Sequence, residues 1–125
     1  MPAEESKESK PDEPLLGSFE ELVLLAVAHL GGRAYGMQVR REIERRSGRS
    51  TAIGAVYATL DRMEDKSYLA SCLAETAKER RGRARKYYAL QPQGAQVLLR
   101  AQKLRRQMWG ELDLAALRDT AEAES

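Results

Sequence analysis

The chain has 125 residues, enough for one domain and too few for two of ordinary size. Hydrophobic residues make up 42% and charged residues 32%, a balance that suits a globular domain rather than a disordered one. No apolar run approaches the roughly 18 residues needed to span a bilayer, so no membrane partner is expected. Residues 1–10 are polar and charged, which predicts no secretory signal peptide. The one cysteine, Cys72, has no partner for an internal disulfide; this excludes a disulfide scaffold and suits a reducing, cytoplasmic setting.

The net charge of +2 hides a strong segregation. Residues 1–14 carry −3 and residues 111–125 carry −4, which leaves +9 on residues 15–110. A basic body between acidic ends points to a polyanionic partner, with nucleic acid the first candidate and a solvated basic surface the alternative.

In chain order, residues 1–14 hold three prolines, many charges and almost no apolar side chains, which predicts a disordered tail. Ser18 is then an N-cap candidate with Glu21 completing a capping box. Phe19, Leu22, Val23, Ala26, Val27 and Leu30 recur at helical spacing until Gly31-Gly32. A second helix is predicted over Tyr35–Arg46, with Val39 and Ile43 as its apolar pair and Gly48 closing it. Ser50 or Thr51 is expected to cap a third helix reaching to about Lys66, whose core side is Ile53, Val56, Tyr57, Leu60 and Met63. Its other side, Thr51, Ala55, Ala58, Thr59 and Arg62, is small and lets a backbone approach closely.

After Lys66 the period drops to two, and strands are predicted from Leu69 to Ala74 and from Lys86 to Leu90. The loop between them holds Lys78, Arg80, Arg81, Arg83 and Arg85 against Glu79 alone. Pro92 suits the first turn of a last helix of about 25 residues. On it Val97, Leu98, Ala101, Leu104, Met108 and Leu112 form a stripe too wide for one small domain to cover. The fold class expected is mainly α with a small β-hairpin: a winged helix-turn-helix followed by a long C-terminal dimerisation helix. The predicted division is a tail over 1–14, the winged domain over 15–91, the dimerisation helix over 92–118 and an acidic tail over 119–125.

Four segments carry a family resemblance. They are Gly54-Ala55-Val56-Tyr57-Ala58-Thr59-Leu60-Asp61-Arg62-Met63-Glu64, then Arg81-Gly82-Arg83-Ala84-Arg85-Lys86-Tyr87-Tyr88-Ala89-Leu90, Tyr35-Gly36, and Pro92-Gln93-Gly94. With them the chain resembles the PadR family of bacterial transcriptional regulators over roughly Leu16–Leu117. Ala58 and Ala84 stand where that family often has proline, Ser67 where it commonly has glycine, and Gln91 where threonine is usual.

The resemblance implies a homodimer on double-stranded DNA, acting as a ligand-responsive repressor on an inverted repeat, with the third helix in a major groove. Candidate DNA contacts are Tyr35, Ser50, Thr51, Ala55, Tyr57, Thr59, Arg62, Lys78, Arg80, Arg81, Arg83, Arg85 and Lys86. Threonine methyls and alanine suit thymine methyls, and arginine suits guanine or phosphate. Tyr57 is read either as core or as a phosphate contact, and Arg62 either as a groove contact or as half of a surface pair. The candidate dimer interface is Val97, Leu98, Ala101, Leu104, Met108, Trp109 and Leu112, with Trp109 and Met108 as candidate contacts for a small aromatic effector.

His29 is expected to cap or pack rather than to react, and Cys72 to be an inert packing thiol. No catalytic set, metal-ligand spacing or cofactor motif stands out, so no catalytic residue, metal or cofactor is expected. Other readings are a winged helix that docks on an acidic protein, and a small-molecule sensor without DNA binding.

Overall fold

The structure, a computed structural model, describes residues 15–75 and 84–123. The predicted N-terminal tail and the loop cations Lys78, Arg80, Arg81 and Arg83 lie outside the described residues. Among the described residues, five helices and three strands follow in the order α1 (Ser18–His29), β1 (Arg33–Tyr35), α2 (Gly36–Ser47), α3 (Ile53–Asp65), β2 (Leu69–Glu75), β3 (Ala84–Leu90), α4 (Pro92–Trp109) and α5 (Leu114–Glu122).

The three strands form one antiparallel sheet in the order β1-β3-β2. β2 and β3 pair from Leu69 opposite Leu90 to Glu75 opposite Ala84. β1 adds Arg33, Ala34 and Tyr35 opposite Ala89, Tyr88 and Tyr87. This third strand is absent from the sequence expectation. Three residues are too few for alternation to register, and Gly32 masks its start.

Helices α1, α2 and α3 pack against the inner face of the sheet. The core comprises Val23, Leu24 and Val27 of α1, Val39 and Ile43 of α2, Val56, Leu60 and Met63 of α3, and Ala34, Leu69 and Tyr88 of the sheet, joined by Val97 of α4. Burying each large apolar side chain contributes about 1.5–3 kcal/mol. Leu24, fully buried, is missing from the expected stripe, whereas Leu22, expected inside, is exposed.

Several boundaries differ from expectation. Gly17, not Ser18, is the N-cap of α1, and its amide donates to Glu20 Oε1 at 2.8 Å. The box therefore closes through Glu20, which sits three residues after the true cap. Ala52 precedes α3, so neither Ser50 nor Thr51 caps it with a hydroxyl. His29 at the end of α1 and Cys72 on β2 are exposed rather than packed.

The expected 25-residue last helix stops at Trp109. Gly110 takes φ 51° and ψ −129°, and Asp113 then caps α5 by accepting from the amides of Ala115 and Ala116. The helical periodicity continues across residues 110–113, which is why the break is invisible to it. Asp119–Glu122 belong to α5 rather than to a tail.

Candidate nucleic-acid interface

Three elements meet at the start of α2. Tyr35 is extended there as the N-cap, with its amide donating to Gln38 Oε1 at 3.1 Å. Gly36 follows, and a Cβ on it would overlap the phenol ring of Tyr57 from α3. That close approach explains the Tyr35-Gly36 pair: only glycine leaves room for the ring. Tyr57 is accordingly neither core nor fully out, with 40% of its surface exposed.

From β3, the Arg85 guanidinium carbon lies over the Tyr35 ring, 3.9 Å from its centroid. Tyr35 meets Tyr87 edge-on with centroids 5.5 Å apart, and Arg33 covers Tyr87 at 4.1 Å. Arg33, Tyr87, Tyr35 and Arg85 thus make a stack on the outer face of the sheet. Such contacts contribute about 0.5–1 kcal/mol each where exposed. The Nε of Arg85 is enclosed and has no hydrogen-bond partner among the described residues. The stack escaped sequence reading because it depends on the unanticipated strand β1.

On α3, Ala55, Ala58, Asp61 and Arg62 are exposed, whereas Thr59 is 2% exposed and inside. Thr59 follows Val56 by three residues and precedes Met63 by four, so it shares their buried arc. It is removed from the candidate contacts. Thr51 is half-buried, its amide donating to Glu44 Oε2 at 3.3 Å, and its hydroxyl is enclosed without a hydrogen-bond partner among the described residues. That hydroxyl is not presented outward, whereas Ser50 is exposed. Arg62 leans toward α1, with Nε 3.5 Å from Glu20 Oε2 and Nη2 donating to Thr59 Oγ1 at 3.3 Å. Of the two readings of Arg62, the surface pair is the one formed in this structure.

Lys86 faces α3. Its Nζ lies 3.6 Å from Asp61 Oδ1 and 3.7 Å from Glu64 Oε1. The Tyr88 hydroxyl donates to Asp61 Oδ1 at 2.7 Å, and the Ser71 hydroxyl donates to Glu64 Oε2 at 2.6 Å. Burial, followed by the neighbouring Asp61 carboxylate, pushes the Tyr88 phenol well above its ordinary value, so it stays a neutral donor. Together these bonds tie both long strands to α3. Asp61 and Glu64 entered the sequence reading only as part of a family segment, because spacing along α3 does not show that β3 stands beside them.

Behind the turn, Glu42 is buried and accepts from Arg46 and from Arg45 Nη2, the latter at 2.7 Å. The hydrogen bonds from Arg46 and Arg45 hold its carboxyl below the usual carboxylate range. Two of the arginines of α2 are therefore partly spent on a structural anchor. Among the described residues, no group of three histidine, cysteine or carboxylate side chains gathers as a metal site.

Residues 24–100 match the PadR-like family of transcriptional regulators. The chain belongs to that family. A comparison with curated proteins finds no match. Among solved structures, a PadR family transcription regulator from Clostridium difficile is similar at 25% identity, covering 74% of this chain and 88% of that one with a TM-score of 0.54. H. salinarum RosR is similar at 21% identity, covering 87% and 92% with a TM-score of 0.59. A winged-helix DNA-binding protein from STIV shares the fold at 16% identity and a TM-score of 0.62, covering 80% of this chain and all 100% of that one.

In this PadR-like regulator the α4 stripe divides into two parts. Val97 is buried, and Leu98 and Ala101 are half-buried. Leu104, Met108 and Trp109 are exposed, Met108 by 74% and Trp109 by 52%, and Leu112, which lies beyond the end of α4, is exposed as well. An open groove of about 220 Å³ runs between the start of α1 and the end of α4, lined by Leu15, Leu16, Leu104, Met108 and Trp109 among others. Arg105 and Glu21 close one side of it, bridged at 2.6 Å. No helix among the described residues is long and apolar enough to cross a membrane.

Proposed function

We propose that the protein is a sequence-specific repressor that binds duplex DNA as a homodimer on an inverted repeat. The observation that carries this reading is the convergence of Tyr35, Tyr57 and Arg85 on the N-terminus of α2, beside the small exposed face of α3. A helix N-terminus attracts phosphate through its unpaired amides, and the arginine and tyrosine hydroxyls add donors around it. Ser50, Ala55 and Ala58 leave the α3 surface low enough to lie in a major groove, with Ala55 suited to a thymine methyl. Arg62 joins them only by leaving Glu20. The loop cations Lys78, Arg80, Arg81 and Arg83 extend the basic surface by composition alone.

The exposed Leu104, Met108 and Trp109 of α4, with Leu112 beyond it, support the homodimer, since apolar side chains left uncovered side by side mark an interaction surface. Two copies of α3 related by a two-fold axis then read two half-sites one or more DNA turns apart. The groove beside Trp109 and Met108 supports a flat aromatic effector that alters DNA affinity.

Selection of bound duplexes from a random library, followed by a salt titration, tests the reading. The expected result is an inverted-repeat consensus bound with a steep loss of affinity as salt rises. Absence of duplex binding even at low ionic strength would falsify it. Quenching of Trp109, the sole tryptophan, by planar aromatic compounds tests the effector.

A further inference from the structure

Helix α3 offers a duplex few side chains that can form hydrogen bonds. Its exposed positions step by three and four residues from Gly54, Ala55 and Ala58 to Asp61, Arg62 and Asp65. Tyr57, also exposed, lays its ring against Gly36 of α2. Gly54, Ala55 and Ala58 carry no donor or acceptor beyond the backbone. A methyl group senses the thymine methyl and leaves the other base edges undistinguished. Reading them falls to the polar side chains of the last two turns.

Of those three, Asp61 is the one tied down on the exposed face. The buried Tyr88 donates its hydroxyl to Oδ1 at 2.7 Å, and Lys86 Nζ lies 3.6 Å from the same oxygen. The side chain nevertheless keeps 57% of its surface exposed, and both contacts fall on Oδ1 rather than Oδ2. Arg62 is turned toward Glu20 of α1, 3.5 Å away, and Asp65 ends the helix. A side chain already held has little rotamer freedom left to lose on binding. A carboxylate facing a duplex also repels its phosphates, a cost that only a donor in the groove can offset. Cytosine presents such a donor, its N4 amine, and aspartate accepts from it. Adenine sets its N7 acceptor beside its N6 amine, and guanine presents two acceptors.

We propose that Asp61 sets base preference, its Oδ2 accepting from the N4 amine of a cytosine while Tyr88 and Lys86 hold the carboxylate by Oδ1. The proposal rests on the duplex-binding reading above and adds which side chain reads a base. Strand β3 then serves the neighbouring helix, with Tyr88 as a positioning residue that touches no base itself. The carboxylate also acts against every other duplex, because without a cytosine opposite it only the repulsion remains.

Selection of bound duplexes from a random library by the wild type and its variants tests it, with titration of each consensus. The wild type should demand cytosine at one position and lose about tenfold in affinity when that base pair alone is changed. Asp61→Asn keeps an acceptor for the Tyr88 hydroxyl, and its preference at that position should move to adenine, which an amide pairs through N6 and N7. Asp61→Ala should accept any base there and bind unrelated duplexes more tightly than the wild type does. Tyr88→Phe should still select cytosine, with the discrimination reduced, and Asp65→Asn should select the wild-type consensus unchanged. Asp61 variants that select the wild-type consensus would overturn the proposal and leave duplex binding standing. So would an Asp61→Ala variant that binds every sequence more weakly by one common factor, since that marks a structural tie alone. A wild type that binds no duplex would remove both readings.

Discussion

The two halves of the chain obey the same helical periodicity and put it to different use. From Val23 to Tyr88, apolar residues at helix and strand spacing close one core, with Val23, Leu24, Val27, Val56, Leu60 and Met63 fully buried. From Leu104 to Leu117 the same kind of pattern leaves Leu104, Met108, Trp109, Leu112, Leu114 and Leu117 exposed. A hydrophobic stripe states that a face needs covering. Whether its own chain supplies the cover depends on what stands opposite, and beyond Ala101 the described residues leave the stripe open except where Leu15 and Leu16 flank it.

The largest expected effect tests that division directly. Leu60→Ala should cost about 2–5 kcal/mol at every protein concentration, because it leaves a cavity in a core that relaxes only in part. Leu104→Glu with Met108→Glu should leave the dilute melting temperature nearly unchanged and abolish its rise with concentration, since only association is lost. Thermal melts across a hundredfold range of concentration distinguish the two. Equal destabilisation of both variants at all dilutions would show that the stripe is covered within one chain.

A second effect lies where the head is most tightly packed. Gly36→Ala puts a methyl into the Tyr57 ring and should cost about 1–3 kcal/mol by overpacking. It should also weaken DNA binding, because Tyr57 must move. Adding Tyr57→Ala should recover most of the stability and none of the affinity. Urea unfolding and duplex titration read the two separately, and a double variant as unstable as Gly36→Ala would show that the ring is not the obstacle.

A smaller effect separates two neighbouring cations of β3. Arg85→Ala should flatten the slope of log affinity against log salt by about one unit, as for the loss of one phosphate contact. Lys86→Met should leave that slope unchanged, since its ammonium faces Asp61 and Glu64, and should cost under about 1 kcal/mol of stability as a surface pair. The reverse pattern would assign the phosphate to Lys86.

The helices, the hairpin and the family were legible in the sequence because long periodic runs and the quoted motifs are local signals. Site residues were less so. Thr59 was misplaced by judging one face from residue size instead of from its spacing to Val56 and Met63. Lys86 was assigned by charge alone, and its acidic partners come from α3, which pattern reading does not bring beside β3. The stack of Arg33, Tyr87, Tyr35 and Arg85 joins strands 50 residues apart through a three-residue strand with no periodicity. Gly110 was passed over because the apolar pattern continues on both sides of it.

The last effect concerns two of the residues with positive φ, one in each half of the chain. The C-terminal half uses Gly110, which tolerates φ 51° and ψ −129° because it has no Cβ. The head uses Ser67 at φ 67°, where the resemblance to PadR regulators puts glycine. The geometry there is a closed helix end, with Ser67 N donating to Glu64 O and Tyr68 N to Met63 O, both at 2.9 Å. The left-handed conformation costs a residue with a Cβ about 1–2 kcal/mol, whereas glycine carries an added entropy cost of about 0.4–1 kcal/mol through the unfolded chain. Ser67→Gly should therefore raise stability by about 1 kcal/mol, while Gly110→Ala should lower the order of α5 without touching the core. Urea midpoints at constant slope measure the first, and far-ultraviolet circular dichroism the second. A destabilised Ser67→Gly variant would mean that the Ser67 side chain itself holds the turn, and that the head is strained by design where the C-terminal half is relaxed.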